Sequence, residues 1–194
     1  MQELLHSKHN SRDKYLIKEG YIINKILFHT MSDQIDEMLS QAYEFAEDGN
    51  YSDALKLYDL ILKEDPDNTN ALVDKGATLQ NMGKIKQAIS SYDKVLDITP
   101  DNLDALLNKG AALHSNQKYR QAIECYDVVL KIDKRCAMAL AYKGLSLGEM
   151  GELQDALKYF KKALSIDKYY DLASISSDIA KDLLKSVKKK SKTL

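Results

Sequence analysis

The chain is 194 residues long, 44% hydrophobic and 29% charged, with two prolines, no tryptophan and a formal charge of -1. That length fits one domain, the apolar content is too high for a disordered chain, and so few helix breakers suit an all-α protein. Near-neutral charge removes the simplest case for a nucleic-acid-binding domain, which needs a basic surface to meet phosphates.

Residues 1–34 form an N-terminal extension in which Leu16, Ile17, Ile23, Ile26 and Leu27 could share a helix face, although Gly20 interrupts it. The most apolar stretch, Tyr21 to Phe28, is broken by Asn24 and Lys25 and is less than half of the ~20 residues that a spanning helix needs. No secretory signal is legible, and Cys125 and Cys136 lack CxxC spacing. The expectation is therefore no membrane span, reduced thiols and a cytoplasmic location. Met31 reads as an alternative or true start, with residues 1–30 dispensable. Ser32 is placed to cap the helix that follows, with Asp33 and Asp36 near its positive end.

From residue 35 the chain repeats. Ala54, Ala88, Ala122 and Ala156 recur every 34 residues, each followed four residues later by an aromatic: Tyr58, Tyr92, Tyr126 and Phe160. Gly76, Gly110 and Gly144 keep the same phase, with Ala42 in the first unit. Leu72, Leu106 and Leu140 fall four residues before those glycines, and Leu79, Leu113 and Leu147 three after. Four units, 35–68, 69–102, 103–136 and 137–170, tile the segment without insertion or deletion, and a fixed period of this length marks a stacked repeat architecture.

Each unit predicts two amphipathic helices joined by a tight turn. In the second, Leu72, Gly76 and Leu79 share a face, Gly83 ends the helix, and Ala88, Tyr92, Val95 and Leu96 form the face of the next. Small residues at Gly76 and Ala88 let two backbones approach closely. Asp65-Pro66-Asp67-Asn68 and Thr99-Pro100-Asp101-Asn102 supply both a stop and capping side chains. After the last unit, Leu172, Ile175, Ile179, Leu183 and Val187 predict a capping helix over 171–187 whose apolar stripe seals the open end. Residues 188–194 are a basic tail; residues 181–194 carry six Lys against one Asp. Such a run is ordinarily solvated, with contact to an acidic partner or nucleic acid as the rival reading.

Nothing in the sequence converges on a reacting centre. His6 and His9 have ligand-like spacing without a third ligand, His29 is isolated, and His114 sits at a helix C-terminus where histidine is ordinary. Cys125, beside the core aromatic Tyr126, is a small packing residue. Every glycine is explained by helix contact or a turn, so no phosphate loop is present. The reading is a non-enzyme, with no cofactor, no metal site and no small-molecule substrate.

The pattern resembles the tetratricopeptide repeat (TPR) family, whose signature is W-x2-L-G-x2-Y, then A-x3-F, then P. The resemblance covers 35–170, about 70% of the chain. Departures are Met38, Leu72, Leu106 and Leu140 at the tryptophan place, Gln41, Lys75, Lys109 and Lys143 at the leucine before glycine, and Lys134 and Lys168 at the last two prolines. They read as size-tolerant or solvent-edge changes, with Lys stems covering apolar surface. The resemblance implies a right-handed α-solenoid of four units plus a C-terminal cap.

It also implies a concave groove, lined by the first helix of each unit, that holds a peptide or helix of a partner protein. Carried over, the groove residues are Leu39, Tyr43, Val73, Asp74, Ala77, Leu107, Asn108, Ala111, Tyr142 and Leu145, with Ala141 in the same column. A carboxylate clamp of the kind found in chaperone-tail-binding members is not matched: its places hold Leu39, Tyr43, Asp74, Asp104 and Asn108, none of them a cation. Residues 31–180 carry 17 basic and 25 acidic side chains, so an anchor with apolar and basic residues is favoured. The leading expectation is an adaptor or scaffold for protein-protein interaction. Its rivals are a nucleic-acid-associated factor acting through the Lys-rich tail and an accessory subunit of an enzyme complex. Self-association as a homo-oligomer, through the groove or the Tyr169-Tyr170 edge, stays open.

Overall fold

A computed structural model describes residues 32–190, with side-chain surroundings through 186. Over that range the chain is helical, and no strand occurs among the described residues. Helix α1 occupies 32–47. It is followed by α2 (Tyr51–Glu64), α3 (Thr69–Asn81), α4 (Ile85–Ile98), α5 (Leu103–Ser115), α6 (Tyr119–Ile132), α7 (Ala137–Glu149), α8 (Leu153–Ile166) and α9 (Asp171–Lys190). Expectations about residues 1–31, including the Met31 start and the His6/His9 pair, lie outside the described residues. Ser32 is already helical, which corrects its assignment as a cap. No helix among the described residues is long and apolar enough to cross a membrane.

The chain divides into two compact units, the first ending at Ile61 and the second beginning at Leu62, within α2. In the first, α1 and α2 are joined by a turn in which Gly49 takes φ +76 and the Asn50 N–H donates to the Phe45 carbonyl at 2.8 Å. Ala42, Ala54, Tyr58 and Ile61 are fully buried. In the second, each helix from α3 to α9 packs on the next, and α3 touches α5, α5 touches α7 and α7 touches α9. Contacts confined to near neighbours along the chain make this unit an all-α solenoid.

Local chemistry explains the element ends. Asn68 Oδ1 accepts from the Ala71 N–H at 2.9 Å and Asn102 Oδ1 from the Ala105 N–H at 2.8 Å, satisfying donors that a helix start leaves free. One repeat later the same place holds Cys136, whose Sγ meets the Ala139 N–H at 3.5 Å. Sulfur is a weak acceptor. Cys136→Asn is therefore expected to raise stability by about 1 kcal/mol, read as a higher midpoint in urea unfolding; an unchanged or lower midpoint would contradict the capping account.

The core sits between the two helices of each unit. A Cβ added at Gly76 would fall 2.5 Å from Tyr92 Cε1, and one at Gly144 2.6 Å from Phe160 Cε1; Gly110 stands in the same relation to Tyr126. The glycines are thus demanded by the aromatic rings, which occupy the space that a side chain would need. Tyr92 and Tyr126 are fully buried, and Phe160 is nearly so. The Tyr92 hydroxyl reaches Gln80 Oε1 at 3.4 Å, whereas the Tyr126 hydroxyl has no hydrogen-bond partner.

Four expectations are corrected. Lys143 is not at a solvent edge: it is buried, its ammonium pairs with Asp127 and it stands 4.5 Å from the centroid of the Tyr159 ring. Lys109 pairs with Asp93 one repeat earlier at 2.5 Å, so the column uses cations to bridge neighbouring helices. Ala141 is fully buried and takes no part in any surface. The apolar stripe of α9 does not seal the array: Ile175, Ile179 and Leu183 are 62%, 57% and 48% exposed, while Ala173, Ser177 and Ala180 are buried. The helix also continues through Lys190, past the expected end at 187.

The 34-residue phase supplies the reason for the last correction. Ala173 follows Ala71, Ala105 and Ala139, and Ala180 follows Thr78, Ala112 and Ser146, all of them buried. Helix α9 docks on α8 and α7 as α7 docks on α6 and α5. The places of Leu72, Gly76 and Leu79 are taken on α9 by Ser174, Asp178 and Lys181. A polar face where a further helix would pack is what ends the stack.

Candidate binding groove

The groove positions predicted for the second unit form three columns across α3, α5 and α7: Val73 with Leu107; Asp74, Asn108 and Tyr142; and Ala77, Ala111 and Leu145. All eight are half-buried. Their inner sides rest on the core, Val73 against the Leu72–Val95–Ala105 cluster, Leu107 and Tyr142 against the cluster around Tyr126, and Leu145 against that around Phe160. Tyr142 stacks on Tyr126 with centroids 5.9 Å apart and planes 17° apart. Side chains held this way keep one face available at little further entropic cost on binding. Leu39 and Tyr43 belong to the first unit, where Leu39 is half-buried and Tyr43 55% exposed.

The electrostatics of these columns centre on Asp74. Burial raises its carboxyl above the usual range, and the neighbouring carboxylate of Asp104 raises it further. Neither acid has a cationic partner among the described residues, and the Asn108 amide makes no hydrogen bond there. A half-buried carboxylate facing a second one is stabilised by any cation that enters, through charge and through hydrogen bonding to the ionised form.

One contact had no sequence signal. His114 Nδ1 lies 2.9 Å from Ser146 Oγ, joining α5 to α7 across 32 residues, and Ser146 is fully buried. Burial holds His114 below its usual pKa, against an opposing pull from Glu149, so the ring is neutral at pH 7. Its edge rests on the Tyr119 ring at 5.2 Å. This contact ties α5 to α7. Burial likewise raises the Cys125 thiol, leaving it protonated and unreactive. Among the described residues no group of three or more His, Cys, Asp or Glu side chains could hold a metal ion.

Comparison with known proteins follows the same lines. The family described as "Anaphase-promoting complex, cyclosome, subunit 3" matches residues 47–129, and the family described as "Tetratricopeptide repeat" matches 115–171. No curated protein matches the sequence. Among solved structures, a MamA protein is similar with TM-score 0.68 and 24% identity, covering 76% of this chain and 81% of that one. MamA from Desulfovibrio magneticus RS-1 gives TM-score 0.65 and 19% identity, over 83% and 97%. A thermophilic TPR protein of Thermus thermophilus gives 0.66 and 20%, over 75% and 80%. At these identities the structures speak to the fold alone. Arrays with this fold are protein-protein interaction modules in general terms, and such scaffolds are typically non-enzymatic. With its unbroken 34-residue period, glycine-aromatic pairs and stacked helix pairs, the chain contains tetratricopeptide repeats, matched as that family over 115–171.

Proposed function

We propose that this protein is a non-enzymatic adaptor that binds a peptide or helix of a partner protein along α3, α5 and α7. The partner segment carries apolar anchors for Val73, Leu107, Ala111 and Leu145, and a lysine or arginine for Asp74. The observation that carries this reading is the Asp74 carboxylate, half-buried among apolar side chains beside the exposed carboxylate of Asp104, the two without a cation of their own. A cationic anchor would relieve that repulsion, and the overall excess of acids over residues 31–180 would steer it in.

The test is selection of a random 12-residue phage-displayed peptide library on the full chain. Enriched sequences are expected to combine apolar residues with Lys or Arg, and Asp74→Lys is expected to weaken them at least about tenfold by fluorescence anisotropy. Acidic consensus sequences, or binding indifferent to Asp74→Lys, would overturn the reading. The pH dependence has a definite sign. Because the Asp74 pKa is raised above its ordinary value of 3.8, affinity for a cationic peptide falls as pH drops through that raised value. Ionising Asp74 opposes folding for the same reason, so Asp74→Asn is expected to stabilise the protein at pH 7, with the gain vanishing below the unfolded-state value.

A further inference from the structure

The exposed stripe on α9 stands in register with the predicted groove. Ile175 follows Val73, Leu107 and Ala141 at intervals of 34, and Ile179 follows Ala77, Ala111 and Leu145. Because α9 docks on α7 and α8 through the repeated Ala173 and Ala180 places, these residues fall on the helix face that carries the groove columns on α3, α5 and α7. Their size is the anomaly. Ala77 and Ala111 give way to Leu145 and then Ile179, and Asn81, Ser115 and Glu149 give way to Leu183.

Between α7 and α9 these residues surround a cavity of about 170 Å³, open to solvent and lined by Leu145, Gly148, Leu153, Phe160, Ile179 and Leu183. Gly148 leaves the space, since nothing but the Ala156 methyl, 3.9 Å away, would meet a Cβ there. The opening is large enough for the side chain of a leucine or phenylalanine. Glu149 lies on the same lining, exposed and without a cationic partner among the described residues. Asp182 and Asp178, on the solvent side of the stripe, are paired with Lys185 at 3.0 Å and Lys181 at 2.8 Å. The free charge at the cavity mouth is therefore the negative one of Glu149.

We infer that α9 acts as a fourth step of the groove, after α3, α5 and α7, and that the α7–α9 cavity receives one large apolar side chain of the partner segment, with a lysine or arginine beside it meeting Glu149. This rests on the groove reading and deepens it. The cation at Asp74 and the apolar anchor at α9 would sit towards opposite ends of the second unit, which fixes the direction of the segment. A repeat array selects partners through such spaced pockets, with specificity set by one or two well-desolvated anchors and complementary charge at their rims. The polar face of α9 ends the stack, while its apolar face extends the binding surface.

The experiment uses the full chain and peptides selected from the random 12-residue library. Selected sequences should share one Leu, Ile, Met or Phe next to a Lys or Arg. Gly148→Leu, which fills the cavity from within, is expected to weaken them at least tenfold, and alanine at the peptide's apolar anchor should cost affinity against the wild type but not against Gly148→Leu. Ile179→Asp, at an exposed position, provides a second variant that does not burden the fold. Loss of binding with Asp74→Lys but not with Gly148→Leu or Ile179→Asp would leave the groove reading standing and overturn this one. No enriched sequence at all would overturn both. If the wild type instead dimerises and Ile179→Asp makes it monomeric in sedimentation equilibrium, the stripe is occupied by a second copy and the partner assignment fails.

Discussion

Alanine in place of Gly110 is expected to lower the melting temperature by about 2–8 °C, whereas alanine in place of Gly148 is expected to raise it. The two glycines belong to neighbouring units and lie within helices, so helix propensity favours alanine at both by about 1 kcal/mol. Packing reverses the sign at the first. The added methyl of Gly110→Ala would collide with the ring of Tyr126, which is fully buried and held by its stack on Tyr142. Relief needs a shift of the ring or of the helix pair, and overpacking of this kind costs about 1–3 kcal/mol. At Gly148 the methyl enters open space and makes ordinary contact with Ala156. Circular dichroism melts of both variants give the comparison. The cause is checked with Gly110→Ala/Tyr126→Leu, where a double cost below the sum of the single costs identifies the collision. If Gly110→Ala melts at or above the wild type, the account of the glycine column is wrong.

Aspartate at position 173 is expected to cost about 3 kcal/mol or more and to undock α9, while aspartate at position 179 costs less than about 0.5 kcal/mol. The ranking by size alone would be the opposite, since isoleucine is the larger apolar side chain. Ala173 is fully buried against the preceding helices, where a carboxylate would lose its water without gaining a cation. Ile179 is 57% exposed and already faces water. Hydrogen exchange of the α9 amides separates local undocking from global loss, because opening of a terminal helix leaves α3 to α6 protected. Rapid α9 exchange in Ala173→Asp with wild-type protection in Ile179→Asp is the expected result. Equal protection in both variants would restore the large apolar stripe as the sealing face.

The groove columns were legible only as positions. Period and family resemblance locate Val73, Asp74, Leu107, Asn108 and Leu145 on their helices, but the sequence contains no sign that Asp74 faces Asp104 without a cation. It likewise gives no sign that Gly148 leaves a cavity, since whether a glycine is filled over or left open depends on the neighbour across the helix pair. His114 and Ser146 meet across 32 residues with no local pattern to announce it.

By itself the sequence determined the period, the helix pairs and most of their ends. These follow from interactions within a few residues: Asn68 and Asn102 cap their own helices, and Gly83 and Gly151 take the positive φ that closes their own turns. It also determined that Gly76, Gly110 and Gly144 recur in phase with Tyr92, Tyr126 and Phe160, whereas only the fold shows that each ring fills the space beside its glycine. Only the tertiary structure decided which way α9 turns. Its two candidate faces, one of small residues and one of large, are both apolar at helical spacing, and amphipathicity cannot rank them. Close helix-helix approach can: α9 follows the docking geometry of the helices before it, which admits Ala173, Ser177 and Ala180 at the contact and leaves Ile175, Ile179 and Leu183 outside. The same geometry buried Lys143, since the Asp127 carboxylate and the Tyr159 ring that receive its charge lie 16 residues away on either side.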